Sequence, residues 1–184
     1  MNINIDDKED YIAFLNGDIL GFERLVLRYK NHLIYFLQKY VNNIDTAEDL
    51  AQDAFVEIFI HKERFQVNKN FKTYLFTIGK FKAIDFLRKQ PDYTSIDEIE
   101  TLADRNLLEE QLFSKEDKTI LFTALNKLKP EYQQIITLID LEDISYKDAA
   151  KILQKTLPQV KILIYRARKS LEKELVKTGY KHEK

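Results

Sequence analysis

Apolar residues recur along this chain every three to four positions, the spacing that gathers them on one face of an α-helix. After a polar start expected to fray, residues 11–16 and 21–41 carry this period, with Phe22, Leu25, Val26, Tyr29, Leu33, Phe36 and Leu37 as the buried face. Asn42 and Asn43 interrupt it. Asp45 with Glu48 then makes a capping signal for DTAEDLAQDAFVEIF, whose Leu50, Ala54, Phe55 and Ile58 turn inward. Residues 61–70, HKERFQVNKN, lose the period and read as a loop of about ten residues. Helical spacing returns over residues 71–89, where Leu75, Ile78 and Leu87 read as core, and stops at Gln90 before Pro91. It is weak near residues 102–112. From Lys118 it resumes through Ile120, Leu121, Ala124, Leu125 and Leu128, then from Pro130 through Tyr132, Ile135, Ile136 and Ile139.

The last two predicted helices are the most sharply bounded. Ser145 and Asp148 have capping-box spacing, with Ile144 placed to staple the entry of a short helix through Ala149, Ala150 and Leu153. Thr156 and Gln159 repeat the signal, and Pro158 sits in a first helical turn, where its missing N–H costs little. Val160, Ile164, Ala167 and Leu171 then form a buried stripe, leaving Gln159, Lys161, Ile162, Tyr165, Arg166 and Lys169 on the outer face. Two short helices joined by a tight turn read as a helix-turn-helix, whose second helix enters the DNA major groove. An ordinary helical hairpin with a solvated basic face is the alternative. Gly179 ends any helix in the tail. With no strand signal or internal repeat, the expected fold class is all-α.

Charge changes this picture more than composition does. The 184 residues, 45% hydrophobic and 32% charged, describe a soluble globular chain with a formal net charge of -1. That sum conceals blocks of opposite sign. Lys62, Arg64, Lys69, Lys72, Lys80, Lys82, Arg88 and Lys89 face only Glu63 and Asp85, and bases again outnumber acids from Lys118 onward. Between them, residues 90–117 hold Asp92, Asp97, Glu98, Glu100, Asp104, Glu109, Glu110, Glu116 and Asp117 against Arg105 and Lys115. The reading is two basic helical modules, residues 1–89 and 118–184, joined by an acidic linker, residues 90–117.

Within the first module, Asp45, Glu48, Asp49, Gln52 and Asp53 crowd the start of one helix, where acids favour the helix dipole or offer a docking face to a basic partner helix. The helix of residues 71–89 interleaves rings with lysines, suited either to core packing or to stacking on unpaired bases with phosphates held by the lysines.

Several chemistries lack their residues. There is no cysteine, so disulfides and thiolate metal sites are excluded, and His32, His61 and His182 are scattered without carboxylate spacing for zinc. Four glycines form no phosphate-cradling loop, and no carboxylate pair is set for acid–base work. No enzyme, cofactor, metal or small-molecule substrate is expected. No apolar run of transmembrane length and no secretory signal pattern occur, so a cytoplasmic protein without direct membrane insertion is expected.

The order of these parts resembles the extracytoplasmic-function (ECF) group of bacterial RNA polymerase sigma factors. The resemblance covers roughly residues 14–175. It rests on the acidic helix IDTAEDLAQDAF, the helix FKTYLFTIGKFKAIDFLRK and the terminal helix-turn-helix ending YRARKSLEKEL, in that order around an acidic linker. It implies that Asp45, Glu48, Asp49, Gln52 and Asp53 dock on core RNA polymerase. It implies that Lys69, Asn70, Lys72, Tyr74, Thr77, Lys80 and Phe81 hold the melted −10 element of promoter DNA, with a non-template base captured near the loop. The −35 element would be read by Thr156, Pro158, Gln159, Lys161, Ile162, Tyr165, Arg166 and Lys169. The linker would thread the polymerase channel, and an anti-sigma factor would control the whole. Four positions depart from the family pattern. Gln154 stands where the turn usually has Gly, predicting strain. Ile162 and Leu163 replace a small polar residue and a base, implying a changed −35 preference, and Phe81 replaces a frequent Asn. The rival readings are a stand-alone helix-turn-helix regulator with a helical interaction domain, and a helical interaction protein or sigma antagonist.

Overall fold

Capping side chains and apolar stripes divide the chain into eight α-helices among the described residues, which in this computed structural model are 5–90 and 115–178. The chain separates into two units, Met1–Ile99 and Glu100–Lys184. Most of the acidic stretch, and with it the expected linker, lies outside the described residues.

The first unit is built on α2 (Ile19–Val41), which packs against α1 (Ile5–Leu15), α3 (Ile44–Ile60) and α4 (Phe71–Lys89). Its Leu25, Tyr29, Leu33, Ile34, Phe36 and Leu37 are buried, as expected for a helix in contact with three others. Val26 is only half-buried. Phe36 meets Phe76 of α4 with ring centroids 5.2 Å apart. Asn42, in the left-handed region at φ 48°, ends α2, and Asn43 begins α3 by accepting the Thr46 N–H at 2.8 Å. The cap of α3 is therefore Asn43, two residues before the expected Asp45, which falls in the first turn.

The frayed start expected from the sequence is instead a helix. Asp7 and Asp10 of α1 are buried because α2 supplies their partners: Arg28 bonds Asp7 at 2.5 Å and Asp10 at 2.9 Å, Arg24 bonds Asp10 at 2.6 Å, and the Tyr29 hydroxyl donates to Asp7 at 2.5 Å. Burial alone would lower the affinity of the Arg28 guanidinium for its proton, but its bonds to Asp10 and Asp7 outweigh that and raise it. Charges can leave water only when paired in this way. Residues 61–70 form the expected connection, with one 3-10 turn, Lys62–Arg64, and a buried Phe65.

In the second unit α8 (Leu157–Lys177) packs against α5 (Lys115–Asn126), α6 (Pro130–Ile136) and α7 (Tyr146–Leu153). α5 starts three residues before Lys118. Pro130 opens α6 as expected, and a π turn, Thr137–Leu141, carries that helix on until the Glu142 N–H meets the Thr137 carbonyl at 2.9 Å. Ile135, Ile136, Ile152, Val160, Ile164 and Ala167 form the shared core, with Leu171 half-buried at its edge.

Candidate nucleic-acid and docking surfaces

The helix-turn-helix is α7 and α8. At the start of α7 the Ser145 hydroxyl accepts the Asp148 N–H at 3.1 Å and donates to the Asp148 carboxylate at 2.7 Å. Lys151 closes on the same carboxylate at 2.8 Å. Burial would raise the Asp148 carboxyl, but bonds from Lys151 and Ser145 hold it below the usual aspartate range. α7 ends on Gln154 at φ 55°, ψ 42°, with the Lys155 N–H on the Ala150 carbonyl at 3.0 Å and the Gln154 N–H on the Lys151 carbonyl at 3.2 Å. This paired geometry is the helix stop that glycine usually supplies. The strain expected at Gln154 is therefore real, because a side chain in the left-handed region crowds its own backbone.

Thr156 and Gln159 make the full capping box of α8, the Gln159 carbonyl oxygen accepting the Thr156 N–H at 2.8 Å. Arg168 pairs with Asp140 through two bonds, of 3.1 and 2.5 Å, which tie α8 to the π turn. Val160, Ile164 and Ala167 face inward, so Thr156, Pro158, Gln159, Lys161, Ile162, Tyr165, Arg166 and Lys169 are all exposed. Ile162 and Tyr165 keep 52% and 58% of their surface in water, an apolar and an aromatic side chain on the same exposed face. Lys169 reaches over Tyr165, its Nζ 4.9 Å from the ring centroid. Leu163 is half-buried and belongs to the packing side. One reader is compromised: Gln159 can offer both ends of its amide to a base only by releasing the cap.

In the first unit the candidates separate into two groups. Asn70, Tyr74, Thr77 and Phe81 follow one stripe of α4 at helical spacing, half-buried except for Phe81, which is 44% exposed. Asn70 caps the helix, accepting the Thr73 N–H at 2.9 Å, and the Thr77 hydroxyl donates to the Thr73 carbonyl at 2.7 Å. Tyr74 stacks at a tilt on Phe65, centroids 5.0 Å apart, and burial raises its hydroxyl above the ordinary tyrosine range. Lys69 is exposed just before the helix, and the Lys72 Nζ lies 5.8 Å from the Tyr29 ring. Lys80 departs from expectation. It lies with Phe76 and Ala83 on the packed side of α4, 5% exposed, its Nζ 5.9 Å from the Phe81 ring. Its burial groups it with the packing residues of α4, against the expected phosphate contact. Ile78 and Leu87, expected in the core, are half-buried, and Phe71, Phe76 and Gly79 fill it instead.

On α3, Asp45, Asp49, Gln52 and Asp53 are exposed and Glu48 half-buried, above a buried stripe of Leu50, Ala54, Phe55 and Ile58. The acidic row runs on into something the sequence reading missed. Val56 follows Asp49, Gln52 and Asp53 at helical spacing, and with Phe59, Phe55, Ile19, Phe22 and Glu23 it lines a groove of about 410 Å³. Ile60, 66% exposed, extends the apolar end. Phe59 and Ile60 follow Ile58 in an unbroken apolar run, which hides which of them face water. Lys82 of α4 braces this helix through Glu57 at 2.6 Å.

Known proteins carry the same two units in the same order. Residues 25–91 match the model of sigma-70 region 2, and residues 118–171 that of sigma-70 region 4. The ECF RNA polymerase sigma factor SigW of Bacillus subtilis is 29% identical over 86% of this chain and 91% of its own. The ECF RNA polymerase sigma-E factor of Haemophilus influenzae is 30% identical over 86% and 89% respectively. Among solved structures, the sigma factor RpoE of Bartonella quintana, in complex with the anti-sigma factor NepR, superposes with a TM-score of 0.64 at 25% identity, covering 84% of this chain and 96% of that one. With both regions matched and relatives at this identity aligned over most of their length, the chain belongs to the sigma-70 family of RNA polymerase sigma factors, in its extracytoplasmic-function group.

Proposed function

We propose that this chain is a dissociable promoter-recognition subunit that docks on core RNA polymerase, holds the melted −10 element and reads the −35 element, with no catalysis of its own. The observation that carries this reading is the outer face of α8: a capped helix, oriented by its buried stripe of Val160, Ile164 and Ala167, presents Lys161, Ile162, Tyr165, Arg166 and Lys169 to solvent. Arg166 offers a fork for guanine, Ile162 an apolar contact for a thymine methyl, and Lys161 and Lys169 charge for phosphate. Asp45, Glu48, Asp49, Gln52 and Asp53 of α3 form the polymerase-docking face, continued by the Val56 and Phe59 groove, so the partner surface pairs basic with bulky apolar residues. The 61–70 loop and the Asn70, Tyr74, Thr77 and Phe81 stripe hold the displaced single strand, where stacking on a ring contributes about 1–3 kcal/mol per base.

Such a subunit acts in the cytoplasm, where polymerase and chromosome are; among the described residues no helix is long and apolar enough to cross a membrane. The Bartonella relative was solved with an anti-sigma factor, and we infer that this chain is controlled by one too. Run-off transcription with purified core polymerase on a promoter library tests the reading. Transcripts from a discrete promoter class are expected only when the chain is added, and none from any promoter would overturn it. Glu48→Lys combined with Asp49→Lys is expected to abolish core binding while leaving the circular dichroism of the chain unchanged; retained binding would remove α3 as the docking face.

A further inference from the structure

Helix α1 precedes residues 25–91, the part that matches region 2, and the reading above gives it no role. Yet it reaches the loop that is proposed to capture a base. Tyr11 is fully buried, and its hydroxyl donates to the Lys62 carbonyl at 2.8 Å, across 51 positions of sequence. Its ring centroid lies 4.7 Å from Phe65 in the loop and 5.5 Å from Phe71 at the head of α4. Phe65 is in turn the surface against which Tyr74 rests, at 5.0 Å. A second tie runs the other way: the Lys62 ammonium donates to the Leu15 carbonyl at the end of α1, at 3.4 Å, and lies 5.2 Å from the Phe14 ring. The 61–70 segment therefore owes the position of its first residues to α1, which is itself held by the Asp7 and Asp10 network on α2. Buried aromatic pairs add about 0.5–1.5 kcal/mol beyond their area, enough to hold a short loop in one conformation.

We propose that Tyr11 is a positioning residue for −10 recognition: its phenol fixes the Lys62 carbonyl, and its ring sets the Phe65 and Phe71 floor beneath Asn70 and Tyr74. This inference rests on the assignment of that loop to the melted strand. A pocket that captures an extruded base discriminates only if its walls are already in place, because distances wrong by a fraction of an ångström forfeit the hydrogen bonds that read the base. Burial raises the Tyr11 hydroxyl far above the ordinary tyrosine range, so it remains a donor under all working conditions.

Tyr11→Phe keeps the ring and removes only the donor. The experiment forms holoenzyme with each protein, selects from a randomised pool of short single-stranded DNA and measures the affinity ratio between the best sequence and its single-base variants. The expected result for Tyr11→Phe is a roughly fivefold smaller ratio, with core binding and −35 duplex binding at the parent level. Asp10→Asn, which loosens α1 without touching the loop, serves as the stability reference: its thermal loss is expected to equal or exceed that of Tyr11→Phe with a smaller fall in discrimination. If Tyr11→Phe discriminates like the parent, or if both variants lose discrimination only in proportion to thermal stability, the positioning role is overturned. If the parent itself selects no sequence, the assignment of the loop to the −10 strand falls, and the inference with it.

Discussion

Gln154 bears a cost that its neighbours impose. The turn between α7 and α8 needs a left-handed residue, and any side chain there gives up about 1–2 kcal/mol relative to the right-handed region. Gln154→Gly is therefore expected to stabilise the second unit by about 1 kcal/mol, read as a higher urea midpoint for that unit's transition in the full chain. Lys39 is costly in another way. Burial beside Tyr35, whose ring centroid is 4.0 Å from the Lys39 Nζ, pulls the ammonium down to about 8 from 10.5. In this window the unfolded chain holds a proton that the folded chain has released, so stability rises with pH there. Urea midpoints of the first unit are expected to increase from pH 8 toward pH 10, and Lys39→Gln to remove that increase.

At the scale of the element, the role proposed for α8 divides its outer face between reading and holding. Arg166→Ala is expected to weaken −35 binding by about 1–3 kcal/mol and to relax preference at one base pair, while Lys169→Ala weakens all sequences evenly and lowers the salt slope by about one. Titrations of holoenzyme against specific and random duplexes at several salt concentrations separate the two. How legible each element was follows from what made it. The helix-turn-helix could be read because Ser145, Asp148, Thr156 and Gln159 are local signals and the Val160, Ile164 and Ala167 stripe is periodic. The second half of α1 carried the period, but its first half could not be read, because Asp7 and Asp10 are polar residues buried by Arg24 and Arg28, partners that a hydrophobic period does not register. Lys80 misled for the related reason that a lysine between Gly79 and Phe81 looks solvated until the packing side of α4 is known. The dual use of Gln159 was equally hidden, since the same amide serves cap and candidate reader.

For the whole molecule, the two proposed DNA-binding surfaces on one chain would act as a bivalent ligand, provided that core polymerase sets their separation. Moving the −10 and −35 elements apart by about five base pairs, half a helical turn, is expected to lower run-off transcription on the order of a hundredfold, even though each site stays intact. Restoring a full turn should recover little, because the added length is not absorbed by a held scaffold.

Gly21 lies where α2 passes under α1, and a Cβ there would come within 2.3 Å of the Asp10 carbonyl oxygen. Only the smallest residue lets the two backbones touch, and that touch sets how far Tyr11 can reach. Even one added methyl would lever the helix away and withdraw the phenol from its carbonyl. On the role proposed for Tyr11, promoter choice would then drift through a change buried at the crossing of two helices, and fidelity would be stored partly in the interior.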